Sequence, residues 1–260
     1  MVTAAAKFER LTLEVRPPVA RIALTNPPLN VIDIAMMEEL ASTLAMIEVH
    51  AEISTIVIRG AGKCFSAGVD VAAHTPDKVV FMLEKFHALI RALIATKKVT
   101  IAAVHGHCFG GGAELAMVCD MAYTTGDAKW GFPEIQLGCF PPVAVTALSV
   151  LVGQKRATEV VLTGRTLNGA EAAAMGLATQ TVATGQLANI VDETTAKLST
   201  LSPAALALTK KAIYAWDASH FDKGLARAEK IYLDELMKTQ DANEGIRAFM
   251  EKRKPDWKGL

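Results

Sequence analysis

Short apolar runs alternate with longer amphipathic segments along most of the chain, and this alternation is what most constrains the fold. Strand-like patterns, either alternating or continuously apolar, predict strands at Leu11–Arg16, Val19–Leu24, Thr55–Arg59, Ile101–Val104, Met121–Thr124 and Gln180–Val182. Apolar stripes of helical period predict helices at Ile34–Val49, Asp77–Ala95, Ala113–Cys119, Val143–Val152, Ala157–Leu162 and Ala170–Met175. Strands that alternate with helices are typical of an α/β protein.

From Gln186 onward the pattern becomes almost wholly helical. Ser202-Pro203 is a typical helix start, and amphipathic segments follow at Ala204–Ala215 and Lys223–Met237. We therefore expect two regions, a core of strands and helices at residues 1–195 and a helical layer at residues 196–260.

The charge balance and the cysteines limit the possible partners and location. Lys plus Arg and Asp plus Glu are both 27, so no global basic field exists to bind nucleic acid or an anionic membrane surface. No apolar stretch reaches spanning length, and the N-terminus is too charged for a signal-peptide core. Cysteines in apolar surroundings and without Cys-x-x-Cys spacing are typical of free buried thiols, and they are Cys64, Cys108, Cys119 and Cys139. We expect a soluble, cytoplasmic protein that binds neither nucleic acid nor membranes.

A glycine triplet lies between the strand at Ile101–Val104 and the helix at Ala113–Cys119. Gly110, Gly111 and Gly112 allow positive φ and a close approach of backbone to a ligand. The N–H groups at a helix start can bind an anion or a developing oxyanion. The same glycines could simply permit tight packing. The segment has neither a Walker loop nor a dinucleotide fingerprint, so phosphate chemistry is not indicated.

Two glutamates follow the triplet. Glu114 lies in the first turn of a helix that is apolar nearly all round, where an unused carboxylate is unfavourable. It could also be a first-turn acid stabilised by the helix dipole. Glu134 lies in a proline-containing loop, and there a solvated acid is the simpler interpretation. Neither glutamate defines a site on its own.

Several ordered blocks of sequence run along nearly the whole chain. They are Leu24–Pro27, Phe65–Asp70, Ala102–Gly106, Gly110–Leu115, Gly131–Glu134, Leu162–Arg165 and Glu251–Pro255. Together they resemble the crotonase superfamily of enoyl-CoA hydratases and isomerases. The resemblance implies a spiral of ββα units at 1–195 and a C-terminal helical trimerisation region at 196–260, in a homotrimer or homohexamer. It also implies an acyl-CoA thioester substrate, with coenzyme A as part of the substrate and no separate cofactor.

The resemblance also implies roles for individual residues. The N–H groups of Val69 and Gly111 would form the oxyanion hole that polarises the thioester carbonyl. Glu114 and Glu134 fall on the two positions that hold a water against the double bond in hydratases of the family. Further contacts with coenzyme A or the acyl group are implied at Leu29, Val31, Ser66, Ala67, Gly68, Asp70, Gly110, Trp130 and Phe140. A buried aromatic at a position such as Trp130 is more often plain core.

The presence of both glutamates favours hydration. Attack at the β-carbon forms an enolate that needs hydrogen-bond donors, while a carboxylate takes a proton from water and a carboxylic acid protonates the α-carbon. The sequence therefore predicts an acyl-CoA hydratase or dehydratase. The alternatives are an enoyl-CoA isomerase or an acyl-CoA hydrolase on the same scaffold, and a non-catalytic acyl-CoA- or RNA-binding relative.

The stretch after Glu134 departs from the pattern of straight-chain hydratases. Leu137–Val145 replaces a glycine-rich stretch. Its Phe-Pro-Pro-Val-Ala sequence is similar to the corresponding sequence of the cyclohexadiene-carbonyl-CoA hydratases of aromatic-acid breakdown. We expect a reshaped acyl pocket, for either a straight-chain or a cyclic acyl group. His105 and His107 lack a set of metal-like partners, so no metal is predicted.

Overall fold

The strands form two sheets in the computed structural model, which describes residues 8–214 and 218–259. They are β1 (Leu11–Arg16), β2 (Val19–Leu24), β3 (Thr55–Gly60), β4 (Val99–Val104), β5 (His107–Phe109), β6 (Met121–Thr125), β7 (Lys129–Gly131), β8 (Leu167–Asn168) and β9 (Gln180–Val182). The larger sheet has the order β1-β2-β3-β4-β6-β9, and only its β1–β2 pair is antiparallel within the described chain. The smaller sheet has the order β5-β7-β8.

Helices connect the strands and then form the C-terminal part of the chain. They are α1 (Ile34–Glu48), α2 (Val79–Ala95), α3 (Gly111–Met117), α4 (Pro142–Val152), α5 (Gln154–Thr163), α6 (Gly169–Met175), α7 (Leu187–Ser199), α8 (Pro203–Tyr214), α9 (Ala218–Asp234) and α10 (Gln240–Met250). Short 3₁₀ helices lie at Val71–His74, Pro133–Leu137 and Leu236–Lys238. None of the helices within the described ranges is both long and apolar enough to cross a membrane.

The parallel strands of the larger sheet are buried, which explains why their sequences are continuously apolar. Every residue of β4 is buried, and α1 and α2 pack together over the sheet. Ile22, Ile58 and Ala102 belong to the main apolar core beneath these helices. The prediction of an α/β protein is confirmed.

Several predicted helix boundaries differ from those in the structure, most clearly those of α2, α5 and α9. The helix predicted from Asp77 begins at Val79, because the carbonyl of Thr75 accepts the N–H groups of Lys78 and Val79 in a preceding turn. The helix predicted at Lys223–Met237 begins earlier, at Ala218, and ends at Asp234. The chain then continues as a short 3₁₀ helix. Ala215, the predicted end of the preceding helix, lies outside the described residues.

Residue 195, the predicted end of the core region, lies within α7. Val191 of this helix is buried in a second apolar cluster, against Val57, Ile101 and Tyr123 of the larger sheet. The first half of α7 therefore packs as part of the core. The helix ends at Ser199. The division at residue 195 stays a prediction.

Candidate active site

A cavity of about 360 Å³ lies between α2, the start of α3, the start of α4 and the C-terminal helices. Apolar side chains form much of its wall, and the carboxyl groups of Glu114 and Glu134 both belong to its lining. The cavity is therefore a place where two acids share a largely apolar space, which favours perturbed proton affinities.

Glu114 is held by the first turn of another helix. Its Oε1 accepts hydrogen bonds of 2.9 Å from the backbone N–H groups of Val143 and Ala144, at the start of α4. These donors have no partner inside their own helix, and the helix dipole adds positive potential there. Burial raises the pKa of Glu114 to about 7, and the two N–H groups oppose that rise. The hydrogen bonds thus stabilise the charged form of a buried carboxyl group.

Glu134 lies in the first turn of the 3₁₀ helix Pro133–Leu137, with its carboxyl group against Gly110. Gly110 has a φ of 51°, and a Cβ built on it would lie 2.6 Å from Glu134 Oε1. Oε2 of Glu134 is buried and has no hydrogen-bond partner among the described residues. Burial, and next the charge of Glu114, raise the pKa of Glu134 well above its ordinary value. Both effects favour the protonated form of Glu134.

The backbone at Val69 approaches the start of α3 closely. Ile32 donates to the carbonyl of Gly68 at 2.8 Å and accepts from the N–H of Asp70 at 3.2 Å, which forms a parallel bridge with Val69 in which the N–H of Val69 takes no part. A Cβ on Gly111 would lie 2.5 Å from Val69 Cγ2 and 3.4 Å from Val69 N. Gly111 is the first residue of α3, where N–H groups lack helical partners. Two backbone donors therefore lie side by side at the cavity wall.

Ser66 stabilises the loop before Val69 by hydrogen bonds. Its hydroxyl donates to the carbonyl of Asn30 at 2.7 Å and accepts from the N–H of Gly68 at 3.1 Å. The side chain is fully buried and does not line the cavity. The prediction that Ser66 contacts the substrate is not supported, because its polar atoms are used to hold the loop before Val69.

Most of the other predicted contact residues fall into two groups. Cavity-lining residues are Ala67, Gly68, Gly110 and Phe140, together with Val69, Gly111, Glu114 and Glu134. Leu29 and Val31 lie beside the loop but outside this lining, and the carbonyl of Leu29 accepts the N–H of Ala67 at 2.9 Å. Asp70 also lies outside it, because its carboxylate accepts from Ala72 N at 3.1 Å and caps the 3₁₀ helix Val71–His74.

Trp130 is one of the predicted contact residues. Its side chain is fully buried, and its indole N–H donates to Thr124 Oγ1 at 3.0 Å. It does not line the cavity. The satisfied indole packs in the core, which favours the plain core interpretation over the predicted substrate contact at Trp130.

The sequence did not reveal several residues of the wall. They come from α2, from α9 and from the C-terminal stretch, and include Met82, Leu83, Phe86, Tyr232, Phe249 and Arg253. The α2 residues were visible only as the apolar stripe of a helix. Before Tyr232, charged and apolar residues alternate along α9, and nothing local distinguishes a cavity position there from a core position.

The fold and the site define an acid–base enzyme of the crotonase type, with paired carboxyl groups beside two backbone donors. The sequence model for enoyl-CoA hydratase/isomerase matches residues 14–260, and the chain belongs to that family. It is 35% identical over 257 residues to a probable enoyl-CoA hydratase of Bacillus subtilis, covering 96% of this chain and 98% of the relative.

Two further relatives bear on the site. A cyclohexa-1,5-dienecarbonyl-CoA hydratase of Thauera aromatica is 33% identical over 239 residues, covering 91% of this chain and 92% of the relative. The crystal structure of an enoyl-CoA hydratase from Mycobacterium avium subsp. paratuberculosis superposes with a TM-score of 0.86 at 26% identity, covering 96% of this chain and 98% of that one. The prediction of the crotonase fold is confirmed.

Proposed function

We propose that this protein is a hydro-lyase that adds water to, or removes it from, a carbon–carbon double bond conjugated to a coenzyme A thioester. One observation carries the proposal: two buried carboxyl groups, Glu114 and Glu134, share one cavity in which burial raises the pKa of both, while two backbone N–H groups stabilise the charged form of Glu114. Hydration needs a base for the water and an acid for the α-carbon at the same time. The pair supplies both.

The proposed reaction assigns each group one step. The thioester oxygen accepts hydrogen bonds from the N–H groups of Val69 and Gly111. The carboxylate of Glu114 takes a proton from water as the water oxygen bonds to the β-carbon, and the π electrons move onto the thioester oxygen as an enolate. Glu134 then gives its proton to the α-carbon and the carbonyl reforms. Backbone donors that face the developing charge typically contribute about 3 to 4 kcal/mol.

The proposed reaction uses no metal and no separate cofactor, because coenzyme A enters as part of the substrate. An isomerase or a hydrolase on the same scaffold is less well supported. A double-bond shift requires only one group that moves a proton between carbons, and it leaves the second carboxyl group without a role. The relatives with which the chain aligns over nearly its whole length carry the name hydratase.

A cyclic dienoyl-CoA thioester is a second candidate substrate. Phe140, Pro141 and Pro142 line the cavity, so the segment that departs from the straight-chain pattern forms part of the acyl wall. The Thauera aromatica relative is named for a cyclic diene substrate. The cyclic substrate, and with it a role in the degradation of aromatic compounds, is proposed on these two observations.

Mass spectrometry of the products tests the reaction class. The pure protein is incubated with crotonyl-CoA, a longer straight-chain enoyl-CoA and the cyclic dienoyl-CoA, and each product is examined for a gain of one water. A gain that disappears in Glu114→Gln supports hydration. Free coenzyme A indicates a hydrolase, a shifted double bond indicates an isomerase, and no reaction with any thioester contradicts the proposal.

We further propose that the chain assembles as a homotrimer or homohexamer in the cytoplasm. Large apolar side chains are exposed on α8, at Leu208 and Ile213, and on α10, at Phe249 and Met250. Exposed apolar groups of this kind often mark subunit contacts. The four cysteines are free and buried, which suits a reducing compartment. Light scattering coupled to size-exclusion chromatography distinguishes a trimer from a hexamer, and a monomer would contradict the assembly.

A further inference from the structure

Tyr232 brings the C-terminal helical layer into the active site. The residue lies on α9, only 1% of its surface is exposed, and it lines the same cavity as Glu114 and Glu134. Its ring meets Phe140 edge-on, with 5.2 Å between ring centroids and an interplanar angle of 74°. Edge-to-face pairs of this kind are favourable, so each ring restrains the other. Together the two rings form a rigid stretch of cavity wall.

A hydrogen bond to the buried side chain of His87 connects α2 to the helix that carries Tyr232. Glu229 precedes Tyr232 by one helical turn, so both side chains lie on the same side of α9. Glu229 Oε1 lies 2.5 Å from Nδ1 of His87 on α2, and 3.4 Å from Nη2 of Arg91. His87 follows directly after Phe86, which lines the cavity opposite. The contact therefore joins α9 to α2 at the edge of the cavity.

The position of Tyr232 relative to the reacting groups suggests its role. The thioester oxygen is assigned to Val69 and Gly111, and the double bond to the space beside the two carboxyl groups. The rest of the acyl group must then lie against the apolar part of the cavity lining, which includes Met82, Leu83, Phe140 and Tyr232. Burial and the nearby thiol of Cys139 raise the pKa of the Tyr232 hydroxyl, and the charges of Glu134 and Glu114 add to the rise. A neutral ring thus lies near the carboxyl groups.

We propose that the ring of Tyr232 limits the length of the acyl group, so that this enzyme selects short or compact acyl-CoA thioesters over long linear ones. The proposal rests on the hydratase function above and specifies its substrate class. The limit is steric: the ring, and not its hydroxyl group, blocks the path that a longer chain would take. Removing the ring opens this path, whereas removing only the hydroxyl leaves it closed.

The test compares kcat/KM for crotonyl-CoA and for a conjugated decenoyl-CoA in three proteins: wild type, Tyr232→Leu and Tyr232→Phe. Tyr232→Leu should shift the ratio of the two values toward decenoyl-CoA by at least about tenfold, since a steric change in an apolar pocket is worth about that much or more. Tyr232→Phe should shift it less than about threefold. The ratio is measured on one preparation, so a partly unfolded fraction cancels.

Two kinetic results would overturn the proposal: an unchanged ratio in Tyr232→Leu, or an equal shift in both variants, which would assign selection to the hydroxyl. Calorimetric binding of the unreactive butyryl-CoA and decanoyl-CoA separates this proposal from the hydratase function. Tighter binding of decanoyl-CoA to Tyr232→Leu alone supports the length limit even if no thioester is hydrated. Hydration by the wild type without any such change in binding or kinetics refutes the length limit and leaves the hydratase function standing.

Discussion

Glu114 and Glu134 lie in one cavity, and the charge of Glu114 is the second cause, after burial, of the raised pKa of Glu134. The two carboxyl groups are not equivalent. Backbone N–H groups at the start of α4 stabilise the charged form of Glu114, whereas Glu134 Oε2 has no hydrogen-bond partner among residues 8–214 and 218–259. The structure therefore favours Glu114 as the base and Glu134 as the acid.

Replacing either glutamate by glutamine should remove one of the two proton transfers. We expect kcat for hydration to fall by about 10²- to 10⁴-fold in Glu114→Gln and in Glu134→Gln, the usual contribution of a general acid or base. The dissociation constant of a saturated acyl-CoA should change little, because the backbone donors and apolar wall remain. Steady-state kinetics and calorimetry measure the two quantities. Near-normal kcat in either variant would contradict the assignment of both carboxyl groups.

The pH profile of kcat/KM should be bell-shaped. Hydration needs Glu114 charged, so the rate should fall as pH decreases through the raised pKa of Glu114, about 7. It also needs Glu134 protonated, so the rate should fall again once pH exceeds the pKa of that group, which lies well above its ordinary value. Rates from pH 5.5 to 10 provide the check. A rate that keeps rising from neutral pH down to pH 5.5 would exclude Glu114 as the base.

The raised pKa of Glu134 should also make the site unfavourable for stability at neutral pH. A carboxyl group with a raised folded-state pKa binds its proton more tightly when folded, so its contribution to stability is lost as pH rises above the unfolded value. Glu134→Gln removes this loss. We expect it to raise the free energy of unfolding at pH 8 by at least about 1 kcal/mol relative to wild type, and much less at pH 4. Urea unfolding at both pH values measures this difference, and an equal effect at both would refute the explanation.

The sequence predicted the strands better than the site. The strands at Val19–Leu24 and Gln180–Val182 have the predicted bounds, because the strand patterns are local and strong. Glu114 in an apolar helix was visible as an unusual acid. Its hydrogen bonds to Val143 and Ala144 were not, because they join residues far apart in sequence and depend on how α4 packs against α3.

Contacts that depend on the third dimension account for the remaining differences. Trp130 was placed in the pocket because aromatic residues there can line it, but a satisfied indole in the core gives the same sequence. The sequence did not reveal Tyr232, because its burial results from the packing of α9 on α4 and of its ring on Phe140. Neither case could be decided from periodicity, since both side chains suit a core and a cavity equally well.

Gly110 should be required for the position of Glu134 and not only for its backbone conformation. An alanine at Gly110 would place its Cβ against Glu134 Oε1. Its backbone would also have to adopt a positive φ. Gly62 offers a matched control, because it also has a positive φ, of 72°, and a Cβ there would have open space. We expect both alanine variants to lose about 1 to 3 kcal/mol of stability. Only Gly110→Ala should lose most of its hydratase activity, and comparable activity in the two variants would refute the role of Gly110.

His87 should make the protein less stable in acid through its burial between α2 and α9. Burial lowers its pKa, the partner Glu229 opposes this, and Arg91 adds to the lowering. The unfolded chain therefore takes up a proton near the ordinary pKa of 6.5 more readily than folded His87 does, so stability is lost as pH falls below that value. His87→Gln should reduce the loss of unfolding free energy between pH 7 and pH 5, by up to about 1.4 kcal/mol per pH unit. His220→Gln, at an exposed position of α9, is the control and should follow the wild-type slope. Parallel slopes for wild type and His87→Gln would show that this histidine does not couple protonation to the docking of α9.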